Sequence, residues 1–379
     1  MTHYMLRFFP SRMLAFYMAR TFLIRAAGVL VLLVVVLQAL DLLGESGDIL
    51  AYPGNGQAQI LHYLALRLPQ IVARFLPFSV LLGTLITLVS LNQHSEVIAM
   101  KAGGVSAHQI LAPLMIAGLG VAVLSFAFNE RVVTRATAAL SAWQDVNYGP
   151  VPTGRHGATN IWVRDGDDII HAASASGHGA GVKLNNLTVF DRNGGELVRV
   201  VSAASAVARL APPQAPGAPR RIIGWTAANA TLFDINSGTN LSVPRYDFGA
   251  DVTPDQFTLA DVSADNLSLP ELHTTIGELK AAGRPTGPLE GSLWHKISGP
   301  LSAALMPLLA GVAAFGLARS GALFVRAVIG MALGFTYFVA DNFAIAMGNL
   351  GAYPPLLAAW APFLLFLLIG ETVLIRTEE

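Results

Sequence analysis

Long apolar runs alternate along this chain with short polar segments, and a single long polar stretch divides the runs into two groups of three. The first group covers about Thr21 to Gly44, Leu68 to Leu91 and Gln109 to Phe128. The second covers about Ile297 to Ala318, Gly321 to Met347 and Pro354 to Ile375. A helix needs roughly 20 apolar residues to cross a hydrocarbon core about 30 Å thick, so the pattern predicts six transmembrane helices. Ahead of the first run, MTHYMLRFFPSRMLAFYMAR alternates Arg7, Arg12 and Arg20 with Phe8, Phe9, Leu14, Phe16 and Tyr17, which reads as an amphipathic lead-in helix in the membrane interface. A cleaved signal peptide is the competing reading, but the apolar run is too long and no Ala-x-Ala-like site follows it.

The periodicity changes in the polar region of residues 131 to 292. From 158 to 262 short β-rich runs are separated by turn dipeptides, the pattern of an all-β sandwich or roll. IWV and DIIHA flank Asp165-Gly166, and LTVF and ELVRVV flank Asn193-Gly194, dipeptides that tolerate the positive φ of tight hairpins. Ile161, Val163, Leu187 and Val189 are expected to face inward. APPQAPGAP, residues 211 to 219, lacks the donors for a ladder and reads as an excursion between strands, while LPELHTTIGELKAAG, 269 to 283, returns to helical spacing as a juxtamembrane helix. The expected division is therefore residues 1 to 130, 131 to 292 and 293 to 379. A strand domain on a membrane stalk serves as a ligand module, a lid, a docking platform or a plain spacer, and its exposed edges suit strand addition.

Composition and charge narrow the class. Of 379 residues, 53% are hydrophobic and only 13% charged, which demands lipid contact. A formal net charge of zero, with no basic run interleaved with aromatics, argues against a nucleic-acid partner. Cysteine is absent, excluding structural disulfides, thiolate catalysis and Cys-ligated zinc. Arg7, Arg12, Arg20, Arg25, Lys101, Arg319, Arg326 and Arg376 fall on one side of the predicted spans, whereas loops 45 to 66 and 348 to 353 carry Glu45 and Asp48 without a basic residue. The basic side, with both termini, is expected to be cytoplasmic and the strand domain extracytoplasmic.

Catalytic patterns are lacking. No G-x-x-x-x-G-K-[ST] loop occurs, so the chain has no Walker A site, and H-E-x-x-H and G-x-S-x-G are missing as well. GHGAG, 177 to 181, precedes strand-like residues and reads as a loop. The nine histidines are scattered, and Asp341, deep in a C-terminal run, has no obvious partner. The expectation is a non-enzyme with no metal and no cofactor of its own.

One polar segment stands out: LNQHSEVIAMKAGGVSAHQ, 91 to 109, between the second and third runs. SEVIAMKA has helix-forming residues with Glu96 in the first turn, where a carboxylate suits the positive dipole end. Gly103-Gly104 stops it, and Ser106 with Gln109 matches the S-x-x-Q capping box that starts the next helix. A short helix along the cytoplasmic surface follows. Glu96 is either a docking charge or a solvated charge supporting the first turn.

The order of parts, with FLPFSVLLG (75 to 83), SEVIAMKAGG (95 to 104), LWHKISGPLS (293 to 302) and RAVIGMALGFTYFVADNF (326 to 343), resembles the LptF/LptG permease family over essentially the whole chain. The Trp-x-Lys pattern of Trp294 and Lys296 looks more like the LptG member than the LptF member. Proteins of that family are membrane subunits of the lipopolysaccharide-exporting ABC transporter of Gram-negative bacteria. The resemblance implies an inner-membrane protein with six transmembrane α-helices and an inserted periplasmic β-jellyroll, paired with a homologous LptF-type permease around one cavity. It also implies a cytoplasmic LptB-type ATPase dimer that holds ATP and Mg, and LptC-type single-span and LptA-type soluble proteins that extend the jellyroll into a bridge. Residues 92 to 104 are then a coupling helix, with Ser95, Glu96, Met100 and Lys101 toward the ATPase and the family's coupling glutamate falling on Glu96. A membrane anchor whose β domain only recruits periplasmic partners is the alternative.

The cavity so implied draws on Leu37, Leu40, Asp41, Arg74, Phe75, Leu76, Phe335 and Phe338, with the family's aromatic before a proline falling on Phe75. Relatives of the LptG kind carry lysines near the outer end of the first span, but LQALDLLGESG places Gln38, Gly44 and Glu45 there. Lipid A phosphates therefore need other cations, for which the candidates are Arg67, Arg74, Arg131, Arg135 and Lys296. Arg74 either meets a phosphate or pairs with Asp41 or Glu130 and fixes helix packing.

Overall fold

The structure is a computed structural model that describes residues 11–151, 159–176, 181–211, 222–250, 252–254, 257, 263–281, 284–316 and 323–378. The chain separates into two compact units, Met1–Leu140 with Ala264–Glu379, and Ser141–Ser263.

The first unit is helical. Its elements are α1 (Arg12–Ala51), α2 (Gln57–Gln93), α3 (Glu96–Ala102) and α4 (Ala107–Phe128), which runs through a π-helical turn (Asn129–Val133) into α5 (Thr134–Gln144). After the strand region come α6 (Leu269–Ala281), α7 (Gly287–Gly311) with a π-helical end (Val312–Gly316), α8 (Leu323–Asn349) and α9 (Pro355–Glu378). Among the described residues, six helical stretches are long and apolar enough to cross a membrane: Arg12–Ala51, Gln57–Gln93, Ala107–Gln144, Gly287–Phe315, Ala327–Asn349 and Pro355–Arg376.

The first three exceed the lengths expected from apolarity alone. The 40 residues of α1 extend roughly 60 Å at the helical rise, about twice a hydrocarbon core. Ser11 caps that helix by accepting from the Leu14 N–H at 3.1 Å, so Arg12 and Arg20 lie on the same unbroken helix as the first span, not on a separate lead-in helix. Residues 1 to 10 of that lead-in lie outside the described residues.

Packing is close where small residues let backbones meet. A Cβ on Gly83 of α2 would lie 2.6 Å from the Ala26 Cα of α1, and one on Gly118 of α4 would lie 2.9 Å from the Ala303 carbonyl oxygen of α7. Buried hydroxyls turn back on their own helix: Thr84 donates to the Val80 carbonyl at 2.8 Å and Thr87 to the Gly83 carbonyl at 2.7 Å. Helix α7 is the most enclosed of the six spans. Its Leu305, Met306, Leu308 and Leu309 join Leu81, Leu85 and Leu88 of α2, and Ile110, Leu111 and Leu114 of α4, in one apolar cluster.

The second unit carries β1 (Thr159–Asp165), β2 (Asp168–Ser176), β3 (Lys183–Asn193), β4 (Glu196–Leu210), β5 (Ile222–Asp234) and β6 (Thr239–Phe248). They form one antiparallel sheet in the order β1-β2-β3-β4-β5-β6. Asp165 pairs with Asp168, so the two-residue loop is Gly166-Asp167, one position later than the dipeptide read from sequence, and opens on Gly166 at φ 62°. Asn193 pairs with Glu196, so this loop is Gly194-Gly195, one position later than the dipeptide read from sequence, with both glycines at positive φ as a two-residue hairpin needs. Alternate side chains, among them Ile161, Val163, Ile170, Leu187, Val189 and Val201, share one core with Trp225 and Phe257. Trp225 donates its Nε1–H to the Val252 carbonyl at 2.9 Å and meets the Phe257 ring edge-on at 4.8 Å. The Pro-rich segment 212 to 219 and residues 177 to 180 of GHGAG lie outside the described residues. The fold class is thus a bundle of membrane-length helices with an inserted antiparallel β domain.

Candidate functional site

The short helix α3 is built by its ends. Its N-cap, Ser95, sits at φ 60° without a side-chain cap bond, a left-handed position that costs a non-glycine residue about 1–2 kcal/mol. At the other end Val105 N–H donates to the Met100 carbonyl and Gly104 N–H to the Lys101 carbonyl, each at 3.0 Å, with Gly104 at φ 82°. That pair of bonds is a Schellman motif. The next helix starts with a reciprocal capping box: Gln109 N–H donates to Ser106 Oγ at 3.2 Å and Ser106 N–H to Gln109 Oε1 at 3.1 Å. Val97 is buried and anchors α3 to the helical core, Met100 packs against it, Glu96 is half-buried, and Ser95 and Lys101 are exposed. Lys101 holds its ammonium 5.0 Å from the centroid of the Phe315 ring.

A polar network crosses the other part of the bundle. Asp41 of α1 accepts from the Tyr63 hydroxyl at 2.6 Å and from Arg67 Nη2 at 2.8 Å and Nε at 3.1 Å. Arg67 also donates to Gln70 Oε1 at 2.6 Å, and Gln70 donates to Thr137 Oγ1 at 3.0 Å. The chain thereby ties α1, α2 and α5 together, with the two-point arginine contact as its strongest part. Arg67 and not Arg74 is the partner of Asp41. Glu130 is engaged too: it lies 3.7 Å from Lys296 Nζ and accepts the Leu269 N–H at 2.6 Å. Arg74, Arg131 and Arg135 are exposed, and among the described residues Arg74 makes no hydrogen bond or ion pair. Of the two roles open to Arg74 in the sequence, the packing pair is the one the geometry does not supply.

Asp341, partnerless on the sequence, meets His295: Nε2 lies 2.9 Å from Asp341 Oδ2, joining α7 to α8. Nothing local signals this, since the two are 46 positions apart. Among the cavity candidates, Phe75 and Leu76 are half-buried on α2, and Phe338 is half-buried on α8. Phe78, absent from the candidates, links them, with ring centroids 6.3 Å from Phe75 and 5.2 Å from Phe338. Its spacing of three from Phe75 on one helix face was the available signal. Leu37 is half-buried and Leu40 exposed on α1, and Phe335 is exposed on α8. Residues from α1, α2 and α8 are therefore surface-facing or only partly covered within this chain. Among the described residues no group of three or more His, Asp or Glu side chains is arranged to hold a metal ion.

Residues 16–376 match the family described as lipopolysaccharide export system permease LptF/LptG. The chain is similar to the lipopolysaccharide export system permease protein LptG of Escherichia coli strain K12, 26% identical over 319 residues, covering 83% of this chain and 84% of that protein. It is 24% identical over 325 residues to the LptG protein of Haemophilus influenzae, covering 85% and 87%. With a match that spans nearly every described helix and strand, this multi-pass inner-membrane chain belongs to the LptF/LptG family of lipopolysaccharide export system permeases.

Proposed function

We propose that the chain is the LptG-type permease subunit of an ABC transporter that extracts lipopolysaccharide from the inner membrane and passes it to a periplasmic bridge. ATP hydrolysis takes place in a separate LptB-type dimer, which holds the ATP and Mg. A homologous LptF-type subunit completes the cavity, and LptC-type and LptA-type proteins receive the lipid. Both termini lie in the cytoplasm and the β domain in the periplasm, in keeping with the side preference of Lys and Arg.

The observation that carries this reading is α3: a seven-residue helix, capped at its C-terminus and anchored by Val97, set between two spans of a chain whose sequence holds no Walker A loop. Such a helix is suited to accept force from a nucleotide-binding partner, with Glu96 as the docking charge and Ser95 and Met100 beside it. On the lipid side, Phe75, Leu76 and Phe338, with Leu37, Leu40 and Phe335, supply apolar surface for acyl chains. Arg67 and Lys296 already face carboxylates, so Arg74, Arg131 and Arg135 are the better phosphate contacts, an unpaired phosphate at a partly desolvated site costing several kcal/mol.

The test is purification of the intact assembly from its native membrane in mild detergent, with mass spectrometry of proteins and lipid together. A second permease, an ATPase and bound lipopolysaccharide are expected. Periplasmic partners without ATPase or lipid would favour the anchor.

A further inference from the structure

We infer that helix α7 is the element through which α3 acts on the far end of the helical unit, with Lys101 and Phe315 as the positioning pair at its input. The inference rests on the reading of α3 as the ATPase-docking helix and adds the route by which its movement reaches the lipid side.

Lys101 stands in the last turn of α3, and its ammonium lies over the Phe315 ring, a cation–π contact. The one basic side chain of this helix, although exposed, thus has a partner within its own bundle. Phe315 belongs to the π-helical end of α7, Val312–Gly316. A π turn has poorer regular bonding than the helix before it, and such bulges gather at functional positions.

The rest of α7 is well placed to carry a displacement. Pro300 and Pro307 interrupt its backbone ladder, but it is the most enclosed span, and its close contacts with α4 at Gly118 and with α9 at Gly370 limit independent bending. Roughly 30 Å away at the helical rise, the same helix presents His295 and Lys296 side by side. His295 meets Asp341 of α8. Lys296 meets Glu130 of the π turn after α4, and Glu130 also holds the first N–H of α6. One enclosed helix therefore touches the docking helix at one end and makes two polar contacts to other helices at the opposite end. Both contacts are made in this structure, and their breaking on displacement of α7 would supply the second arrangement that energetic coupling between distant sites requires.

The experiment uses the complete reconstituted assembly with Lys101→Met, Lys101→Arg, Phe315→Leu and the Met/Leu double variant. Three readouts are ATPase recruitment, ATP hydrolysis rate, and lipopolysaccharide released per ATP. A fourth is the distance between spin labels at exposed Trp294 of α7 and Phe343 of α8, with and without nucleotide. Lys101→Met and Phe315→Leu should keep recruitment and hydrolysis, lower release per ATP about fivefold or more, and abolish the nucleotide-dependent distance change. The double variant should be no worse than either single one, and Lys101→Arg should restore both readouts. Wild-type release per ATP in Lys101→Met overturns the inference. So does loss of ATPase recruitment in that variant, which would make Lys101 a docking contact. If the wild-type assembly recruits no ATPase at all, the docking reading falls first and the inference with it.

Discussion

Opposite charges meet in both units of this molecule, and the contacts mean different things. In the helical unit, Asp41 with Arg67 and Glu130 with Lys296 each join separate helices, and a hydrogen bond between Asp341 and His295 joins a further two. A lone charge there is expensive, so pairing dictates which helix faces which. In the β unit, Arg199 of β4 pairs directly across from Asp191 of β3 at 2.6 Å, at the end of the face that carries Val189 and Val201, with its guanidinium exposed to competing water. Stability there comes from alternate side chains closing around Trp225. The lesson is that the cations left over in the helical unit carry more information than the salt bridges themselves. Once Arg67 and Lys296 are accounted for, Arg74, Arg131 and Arg135 are the arginines of the candidate set that no carboxylate has claimed among the described residues.

The largest effect expected from this contrast is in the strand core. Trp225→Ala removes a fully buried ring and its bond to Val252, and should cost about 3–5 kcal/mol, read as loss of hydrogen-exchange protection in β3 to β6 of the intact chain with the helices unchanged. In the helical unit, Arg67→Gln should cost about 1–3 kcal/mol by leaving Asp41 charged and under-satisfied. Adding Asp41→Asn should recover much of that loss in a thermal melt in detergent. If the double variant is as unstable as Arg67→Gln alone, pairing is not what holds α1 to α2. Arg199→Ala, by contrast, should change stability by no more than about 1 kcal/mol.

The smallest effect is a pH dependence of the sheet. Burial lowers the His171 pKa below its ordinary 6.5, so the folded sheet favours neutral imidazole. The unfolded chain takes up the proton first as pH falls. This contribution to stability is therefore intact above about pH 6.5 and is lost as pH drops toward the lowered folded-state value. Hydrogen exchange in β2 should quicken as the pH falls below 6.5, after correction for intrinsic rates, and His171→Gln should flatten the slope.

Features set by neighbouring residues were legible in the sequence. The capping box at Ser106 and Gln109, the glycine stop after Ala102 and the inward-facing Ile161, Val163, Leu187 and Val189 all follow from local spacing. Both hairpin loops lie one residue after the dipeptide read from the sequence, at Gly166-Asp167 and Gly194-Gly195, because the pairing of Asp165 with Asp168 and of Asn193 with Glu196 set the register. Charge partners were not legible. Asp41 finds Arg67 26 positions away and His295 finds Asp341 46 positions away, and only the packing of helices decides between Arg67 and Arg74, which lie on the same helix. The aromatic link through Phe78 was half legible: its spacing from Phe75 is local, its contact with Phe338 is not.

The most direct test of the account is ATP-driven release of lipopolysaccharide from proteoliposomes that hold the full assembly, comparing wild type with Glu96→Lys. The wild type should release lipid only with ATP, and Glu96→Lys should lose both ATPase binding and release while keeping its fold and its bound lipid. Release by Glu96→Lys at the wild-type rate, or release by the wild type without ATP, would contradict the claim that α3 is where a partner's ATP hydrolysis enters this permease.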